Sequence, residues 1–202
     1  MENINGIFIN GEDCNKKETS KTDVLTEKLI NSRTIIISGE INQELAAKVS
    51  TQLLILQEIS DEPIKIFINS QGGHVEAGDT IHDMIQFVKP KVIMIGTGWV
   101  ASAGITIYLA ADKENRYSLP NTRYMIHQPS GGARGQTTDL AIEAKEILKI
   151  KKRIAKLISE ATGKDLKDVE ENIERNYWLD SKEAVEYGIV NKVITKFEEL
   201  GL

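Results

Sequence analysis

The chain has 202 residues, the size of one large α/β domain rather than two full domains. Hydrophobic residues make up 41% of it and charged residues 27%, a balance that excludes collagen-like and mostly disordered chains. The formal net charge of -5 gives no general affinity for nucleic acid. The single cysteine, Cys14, cannot form an internal disulfide, and the first residues lack the pattern of a secretion signal, so we expect a cytoplasmic protein.

Residues 1–30 are predicted to form a flexible N-terminal arm. Within them, residues 12–28 are dense in charge and poor in large apolar side chains, which is typical of segments that do not pack into a core. The remainder, residues 31–202, is predicted to form a single domain.

Beyond the arm, short β-rich apolar runs alternate with segments of helical period, which indicates an α/β domain. The strands read as nearly continuous apolar runs, so we expect a sheet covered on both faces, with ligands at the carboxyl ends of its strands. The predicted strands are Thr34–Ile37, Ile64–Ile68, Val92–Ile95 and Tyr124–Ile126, and the clearest helices are Gln43–Ile59 and Val75–Phe87.

Residues 92–111 contain no charged side chain, and the run is long enough to raise the question of a membrane-spanning helix. Three glycines, Gly96, Gly98 and Gly104, interrupt it, and its first residues are mostly β-branched. This composition favours a buried strand, a glycine turn and a buried helix. No membrane contact is therefore predicted.

A long amphipathic helix is predicted at about residues 137–161, with Gly163 as its stop. At 1.5 Å per residue it spans roughly 37 Å, more than a compact domain of this size needs. We expect it to project and to cover its apolar face with another copy of the chain.

Two candidate catalytic side chains follow predicted strands. His127 comes directly after the strand at residues 124–126, and Ser102 lies among small residues at a helix start. Small neighbours admit a substrate backbone, and a helix start offers free N–H groups to an oxyanion. The Gly72–Gly73 turn can add a second N–H. Taken alone, Ser102 is equally well interpreted as a helix cap, and His127 as a structural residue.

The other histidines give weaker signals. His82 is interpreted as a surface or capping side chain on a helix, and His74 as a loop residue near a site. No histidines or acids have zinc-ligand spacing, and one cysteine cannot form a thiolate cluster. We therefore predict no metal and no cofactor.

Several motifs, in their order and spacing from about residue 32 to 196, resemble the proteolytic subunit of the Clp protease, the ClpP family. They are Ile68-Asn69-Ser70 with Gly72-Gly73, Ala101-Ser102, Leu119-Pro120-Asn121, Met125-Ile126-His127-Gln128-Pro129, Gly131-Gly132-Ala133-Arg134-Gly135-Gln136, Ala144 to Leu148, and Glu183-Ala184-Val185-Glu186-Tyr187-Gly188. The resemblance implies a crotonase-like α/β fold with a projecting handle helix, at residues 137–161 here. It also implies a serine endopeptidase that cuts unfolded polypeptides and short peptides.

The resemblance also assigns roles to individual residues. The family's nucleophile falls on Ser102, its base on His127, and its oxyanion-hole amides on Gly73 and Ala103. A glycine-rich segment matches the strand that pairs with an extended substrate. That segment comprises Gly131, Gly132, Ala133, Arg134 and Gly135.

Assembly and partners follow from the same resemblance. It implies two stacked heptameric rings joined through the handle helices, with the N-terminal arm at the entrance. The chain has no GxxxxGK[ST] phosphate loop, so a partner must supply energy, by family analogy an AAA+ unfoldase such as ClpX or ClpC.

The chain departs from the family at the third triad position, where Asn176 stands in place of the usual Asp. Asparagine can orient an imidazole but cannot supply the carboxylate's charge. Asp180 lies close enough in sequence to be a candidate for compensation. Glu174 and Arg175 match an ion-pair position that the family uses between rings.

Asn176 leaves two alternatives open. The chain is either an active peptidase or a weakly active, regulatory ring subunit that needs an active ClpP paralogue in a mixed complex. A third, less favoured interpretation is a crotonase-like acyl-CoA enzyme that uses the oxyanion hole without a serine nucleophile.

Overall fold

The structure, a computed structural model, describes residues 21–132 and 134–202, with side chains from residue 26 onward. Helices and strands alternate along the chain, which confirms the predicted α/β class. The strands are β1 (Thr34–Ile41), β2 (Ile64–Gly73), β3 (Val92–Ala101), β4 (Arg116–Ser118), β5 (Arg123–Ile126), β6 (Tyr177–Leu179) and β7 (Lys192–Val193). The helices are α1 (Lys21–Asn31), α2 (Gln43–Ile59), α3 (Val75–Phe87), α4 (Ala103–Tyr108), α5 (Thr137–Thr162), α6 (Leu166–Asn172) and α7 (Ser181–Tyr187), with 3-10 turns at Lys113–Asn115 and Phe197–Leu200.

The sheet is parallel apart from its β5–β6 pair, and its main path runs β1-β2-β3-β4-β7. Strand β3 changes partner along one edge. Its residues 94–96 pair with β4, and its residues 99–101 pair with β5. Because β2, β3 and β5 are parallel, their carboxyl ends meet at one edge of the sheet.

The two faces of the sheet are covered unequally. Helices α2, α3 and α4 bury the main core against residues such as Ile35 and Ile66. The opposite face carries a smaller cluster that includes Ile93 and Ile194, and Ile36 there is 55% exposed. The prediction of full cover on both faces is therefore wrong for β1, because the C-terminal segment packs on β2, β3 and β4 and leaves Ile36 exposed.

The charge-free window forms a buried strand and a buried helix, as predicted, but its turn lies elsewhere. Strand β3 continues through Gly96 and Gly98 to Ala101, and the chain turns at Ser102. In the described part of the chain, no helix has an apolar stretch sufficient to cross a bilayer.

The long helix α5 agrees closely with the predicted handle. Its C-terminal half packs on the core through Ile154 and Ile158, whereas Leu140, Ile142 and Leu148 nearer its start are exposed. Helix α1 occupies the end of the predicted N-terminal arm. Residues 1–20 of the arm lie outside the described residues, so the arm stays a prediction.

Arg33 ties the start of β1 to the end of α2. Its guanidinium donates to the carbonyl oxygens of Leu56, Ser60 and Glu62 at 2.8, 3.0 and 2.9 Å. These carbonyls stand in and beyond the last turn of the helix, where intrahelical donors run out. Leu56 O also accepts the backbone N–H of Ser60 at 3.3 Å. The buried cation therefore caps α2.

We expect Arg33→Ala to lower the free energy of unfolding by about 2 kcal/mol, because buried carbonyls lose charged donors. Urea unfolding at fixed protein concentration measures the loss. Arg33→Lys should recover only part of it, since an ammonium lacks the planar fork. Full stability in Arg33→Ala would contradict this role.

Candidate active site

Ser102 forms the corner between β3 and α4. Its φ of 56° and ψ of −123° are a strained conformation for a residue with a side chain, of the kind found where a nucleophile is presented on a sharp turn. Its N–H donates to the Met125 carbonyl at 3.0 Å. The hydroxyl does not cap α4, so the helix-cap interpretation is wrong.

The Ser102 hydroxyl instead meets His127. Ser102 Oγ lies 2.7 Å from His127 Nε2, within the range of a strong hydrogen bond. His127 directly follows β5, and its imidazole is half-buried. The structure therefore brings together two side chains that lie on separate segments.

Asn176 is the cross-strand neighbour of His127. Strands β5 and β6 are antiparallel, with Ile126 opposite Tyr177, so the next positions outward are His127 and Asn176. Burial lowers the pKa of His127, and a side-chain hydrogen bond with Asn176 raises it in part. A bond that raises this pKa is one that favours the protonated ring.

Asp180 does not take over the third position. Its carboxylate accepts the backbone N–H groups of Lys182 and Glu183 at 2.8 and 2.9 Å and caps α7. The pKa of His127 is set by burial and by Asn176, without a contribution from Asp180. The first acid after Asn176 in the chain is thus a helix cap.

Hydrogen bonds hold the His127 loop against the segment before Asn176. The backbone N–H of Gln128 donates to Ile173 O at 2.6 Å, and its side-chain Nε2 donates to Glu174 O at 2.9 Å. The Glu174 carboxylate also pairs with Lys151 of α5. These contacts connect the site to the long helix.

The glycine turn at the end of β2, Gly72 and Gly73, packs directly on the serine corner. A Cβ at Gly72 would lie 2.6 Å from Ser102 Cβ and 2.8 Å from Ala101 O, and one at Gly73 would lie 2.2 Å from Ile41 O. Buried Ser70 fixes the turn by accepting from Gly72 N at 3.0 Å. Only glycine permits this approach, which places the turn beside the start of α4.

A largely apolar pocket opens next to Ser102. It lies between α3, α4, the segment after β5, and α5, so four parts of the chain define its width. We call it the Ser102 pocket. Its lining residues are Val75, Ser102, Ala103, Ile105, Thr106, Ile126, His127, Pro129, Ile154 and Ile158.

The predicted substrate-pairing segment has no helix or strand in its described residues. Gly131, Gly132, Arg134 and Gly135 are exposed, and Ala133 lies outside the described residues. Their role stays a prediction. Arg175, the other predicted oligomer-contact residue, is also exposed, whereas Glu174 is engaged within the chain.

The interpretation of His82 as a surface or capping side chain is wrong. His82 is only 8% exposed, and its Nδ1 lies 2.7 Å from the Thr106 carbonyl oxygen. It falls on the inner face of α3, which packs on α4. His74 stands at the start of α3, with its Nδ1 3.2 Å from Glu76.

Two residues that shape the site were not singled out for it in the sequence. Ser70 is a polar side chain at the end of an apolar strand, which is a weak signal for a buried hydrogen bond. Gln128 gives no signal beyond ending the strand before Pro129. Across residues 26–132 and 134–202, no three His, Cys, Asp or Glu side chains are grouped to hold a metal ion.

Comparisons with known proteins show the family of the chain. The chain matches the Clp protease family over residues 16–197. It is 52% identical over 184 residues to ATP-dependent Clp protease proteolytic subunit 3 of Rhizobium etli, covering 91% of this chain and 95% of that protein. It is 50% identical over 178 residues to subunit 2 of Pseudomonas aeruginosa, covering 88% and 89%.

Solved structures show the same similarity. ClpP1 from Listeria monocytogenes is 62% identical, with a TM-score of 0.80, over 87% of this chain and 99% of that chain. An Asn-to-Asp mutant of the same protein has a TM-score of 0.82 at the same identity and coverage.

Proposed function

The chain belongs to the Clp protease family, and from this premise we propose that it is a serine endopeptidase subunit that works through Ser102, His127 and Asn176. The observation that carries the proposal is the 2.7 Å contact between Ser102 Oγ and His127 Nε2. A nucleophile hydrogen-bonded to a base, with a third group orienting that base, is the arrangement required for acyl transfer.

In the proposed reaction, Ser102 Oγ attacks the scissile carbonyl while His127 Nε2 accepts the hydroxyl proton. The resulting imidazolium then gives that proton to the leaving amine, and the acyl-enzyme forms. Water, deprotonated by the same imidazole, hydrolyses the ester and restores Ser102.

The oxyanion of each tetrahedral intermediate is held by the N–H groups of Gly73 and Ala103 in this proposal. Their positions beside the serine corner support it, because the Gly72 contact brings the turn against the start of α4. The Ser102 N–H is already donated to Met125 O. Fixed backbone donors stabilise developing charge without reorganisation.

The proposed substrates are unfolded polypeptides and short peptides, whose apolar side chains suit the Ser102 pocket. The relatives are named as proteolytic subunits of an ATP-dependent protease. We accordingly propose that this chain assembles into two stacked heptameric rings and works with an AAA+ unfoldase such as ClpX or ClpC. We also propose a cytoplasmic location.

Active-site labelling tests the proposal. A fluorophosphonate probe should modify the purified chain at Ser102, and Ser102→Ala should remove both the label and the hydrolysis of a fluorogenic peptide. The mass of the assembly is measured on the same sample. Peptide hydrolysis that persists in Ser102→Ala would overturn the assignment and favour the acyl-CoA alternative.

Asn176 supports a second candidate function, that of a weakly active or regulatory ring subunit. An amide at the third position supplies no charge to the imidazolium. A mixture with an active ClpP paralogue should then be labelled at Ser102 faster than the isolated chain. Equal labelling rates, with mixed rings shown by size and composition, would remove the need for a helper.

The pH dependence of hydrolysis should reflect the buried imidazole. Burial lowers the pKa of His127 below its ordinary value of 6.5, and Asn176 offsets only part of that change. Since the base acts only when neutral, the acidic limb of kcat/KM should have its midpoint below pH 6.5. A pH–rate profile on assembled protein measures it, and a midpoint above the ordinary value would contradict the prediction.

A further inference from the structure

An ion pair joins α3 to α5 beside the Ser102 pocket. Arg153 Nη1 and Nη2 donate to the two carboxylate oxygens of Asp79 at 2.8 and 2.5 Å. This bidentate geometry fixes orientation as well as distance, unlike a single contact from a flexible ammonium. The Asp79 side chain is 22% exposed to solvent and the Arg153 side chain is 46% exposed. We call this pair the Asp79–Arg153 clamp.

The two clamp residues line a second cavity, and neighbouring residues on the same two helices line the Ser102 pocket. On α3, Val75 lines the Ser102 pocket, and Asp79, one turn later, lines a second, solvent-open cavity. On α5, Ile154 lines the Ser102 pocket and the adjacent Arg153 lines the second cavity. The clamp therefore joins two helices that each provide a wall of the pocket.

The local charges favour this pairing. The hydrogen bonds that Arg153 donates to Asp79 are the main reason that its pKa is raised, and the charges of Asp79, Asp83 and Glu76 on α3 raise it further. An arginine facing several carboxylates is held close to α3. The Ile154 side chain, next to Arg153 on α5, is held with it.

We propose that the Asp79–Arg153 clamp sets the width of the Ser102 pocket and thereby the preference for the substrate side chain that enters it. The proposal rests on the peptidase function proposed above. Asp79 and Arg153 are positioning residues, because they act through the pocket walls. With the clamp intact, the narrow pocket between Val75 and Ile154 favours small aliphatic side chains. Without it, α5 moves away from α3 and larger side chains are accepted.

The experiment compares two fluorogenic peptide series that differ only in the residue before the cleaved bond, one aliphatic and one aromatic. Asp79→Asn and Arg153→Gln should each lower the aliphatic-to-aromatic ratio of kcat/KM by about fivefold, mainly through KM. The double variant should be no worse than either single variant, because both remove the same contact. Arg153→Lys keeps the charge but not the bidentate geometry, so its aliphatic-to-aromatic ratio should lie between those of the wild type and Arg153→Gln.

Matched controls use another ion pair on the same helix. Lys156 and Glu160 form an ion pair within α5, with Nζ and Oε1 3.6 Å apart, so Lys156→Gln and Glu160→Gln should leave the ratio unchanged. The rate at which a small fluorophosphonate labels Ser102 should stay within about twofold of the wild-type rate in every variant, which separates pocket width from catalytic chemistry.

Failure of this inference and failure of the proposed function give different results. If the clamp variants hydrolyse the peptides with an unchanged aliphatic-to-aromatic ratio of kcat/KM, the role of the clamp is overturned and the proposed function is not. Absence of Ser102 labelling in the wild type overturns the function. In that case hydrogen exchange of the α5 amides around Ile154 decides the structural inference: faster exchange in the clamp variants supports it, and unchanged exchange overturns it.

Discussion

The Asn176→Asp variant is expected to hydrolyse peptides at least about 100-fold faster than the natural chain. The reverse change in a Ser-His-Asp triad lowers kcat by about 10⁴, because an amide cannot stabilise the imidazolium by charge. Asn176 already stands opposite His127 on the neighbouring strand. A carboxylate there needs no rearrangement of the backbone, so most of the missing charge stabilisation should be recovered.

The measurement is kcat for a fluorogenic peptide, with assembly checked by size. The acidic limb of the profile should also move to higher pH, since a carboxylate raises the pKa of His127. Asp180→Asn is the matched control: it changes one nearby carboxylate, and asparagine caps a helix as well as aspartate, so the rate should not change. An unchanged rate in Asn176→Asp would show that ring geometry limits the enzyme.

The Gly72→Ala variant is expected to lose about 10³ in kcat/KM. Its new methyl group would lie 2.6 Å from Ser102 Cβ and 2.8 Å from Ala101 O, and the second of these is backbone, which cannot rotate away. Either the glycine turn or the serine corner must shift. Both movements separate the proposed donors, Gly73 and Ala103, from the carbonyl that Ser102 attacks.

The control for Gly72→Ala should replace another glycine that has a positive φ, at a position where the added Cβ meets no other atom. Gly201 also has a positive φ, 68° against 98° at Gly72, and a Cβ there would meet nothing within 4 Å. Gly201→Ala should therefore lose a similar amount of stability, about 1 kcal/mol, and keep its activity. Normal labelling of Ser102 in Gly72→Ala would contradict the proposed role of the turn.

The helices were predictable where apolar residues repeat at the helical period, because that repeat marks the buried face of a helix. Helices α2 and α3 have the bounds expected from their sequence, because their inner faces repeat at helical spacing. The same spacing places His82 on the buried face of α3, although a polar imidazole is typical of a surface position. The first strands run on beyond the predicted ends, through residues 38–41 and 69–73, because pairing with a neighbouring strand continues past the apolar run.

The proposed reacting pair, Ser102 and His127, was predictable from the sequence, but the contacts that position it were not. Ser102 and His127 stand in local patterns that can be read from a few neighbours. The contacts that position the site join residues far apart in sequence: 46 positions for Gln128 with Glu174, and 74 for Arg153 with Asp79. No local pattern encodes such pairs, because they exist only once the elements have packed.

The antiparallel pairing of β5 with β6 has an evolutionary consequence. His127 and Asn176 are neighbours across that pair, although the whole of α5 and α6 lies between them in the chain. Lengthening or reshaping α5 leaves their strand register intact, whereas a single insertion within β6 would turn the Asn176 side chain to the opposite face. The first half of α5, which lines no part of the Ser102 pocket, is therefore free to diversify while the chemistry stays fixed.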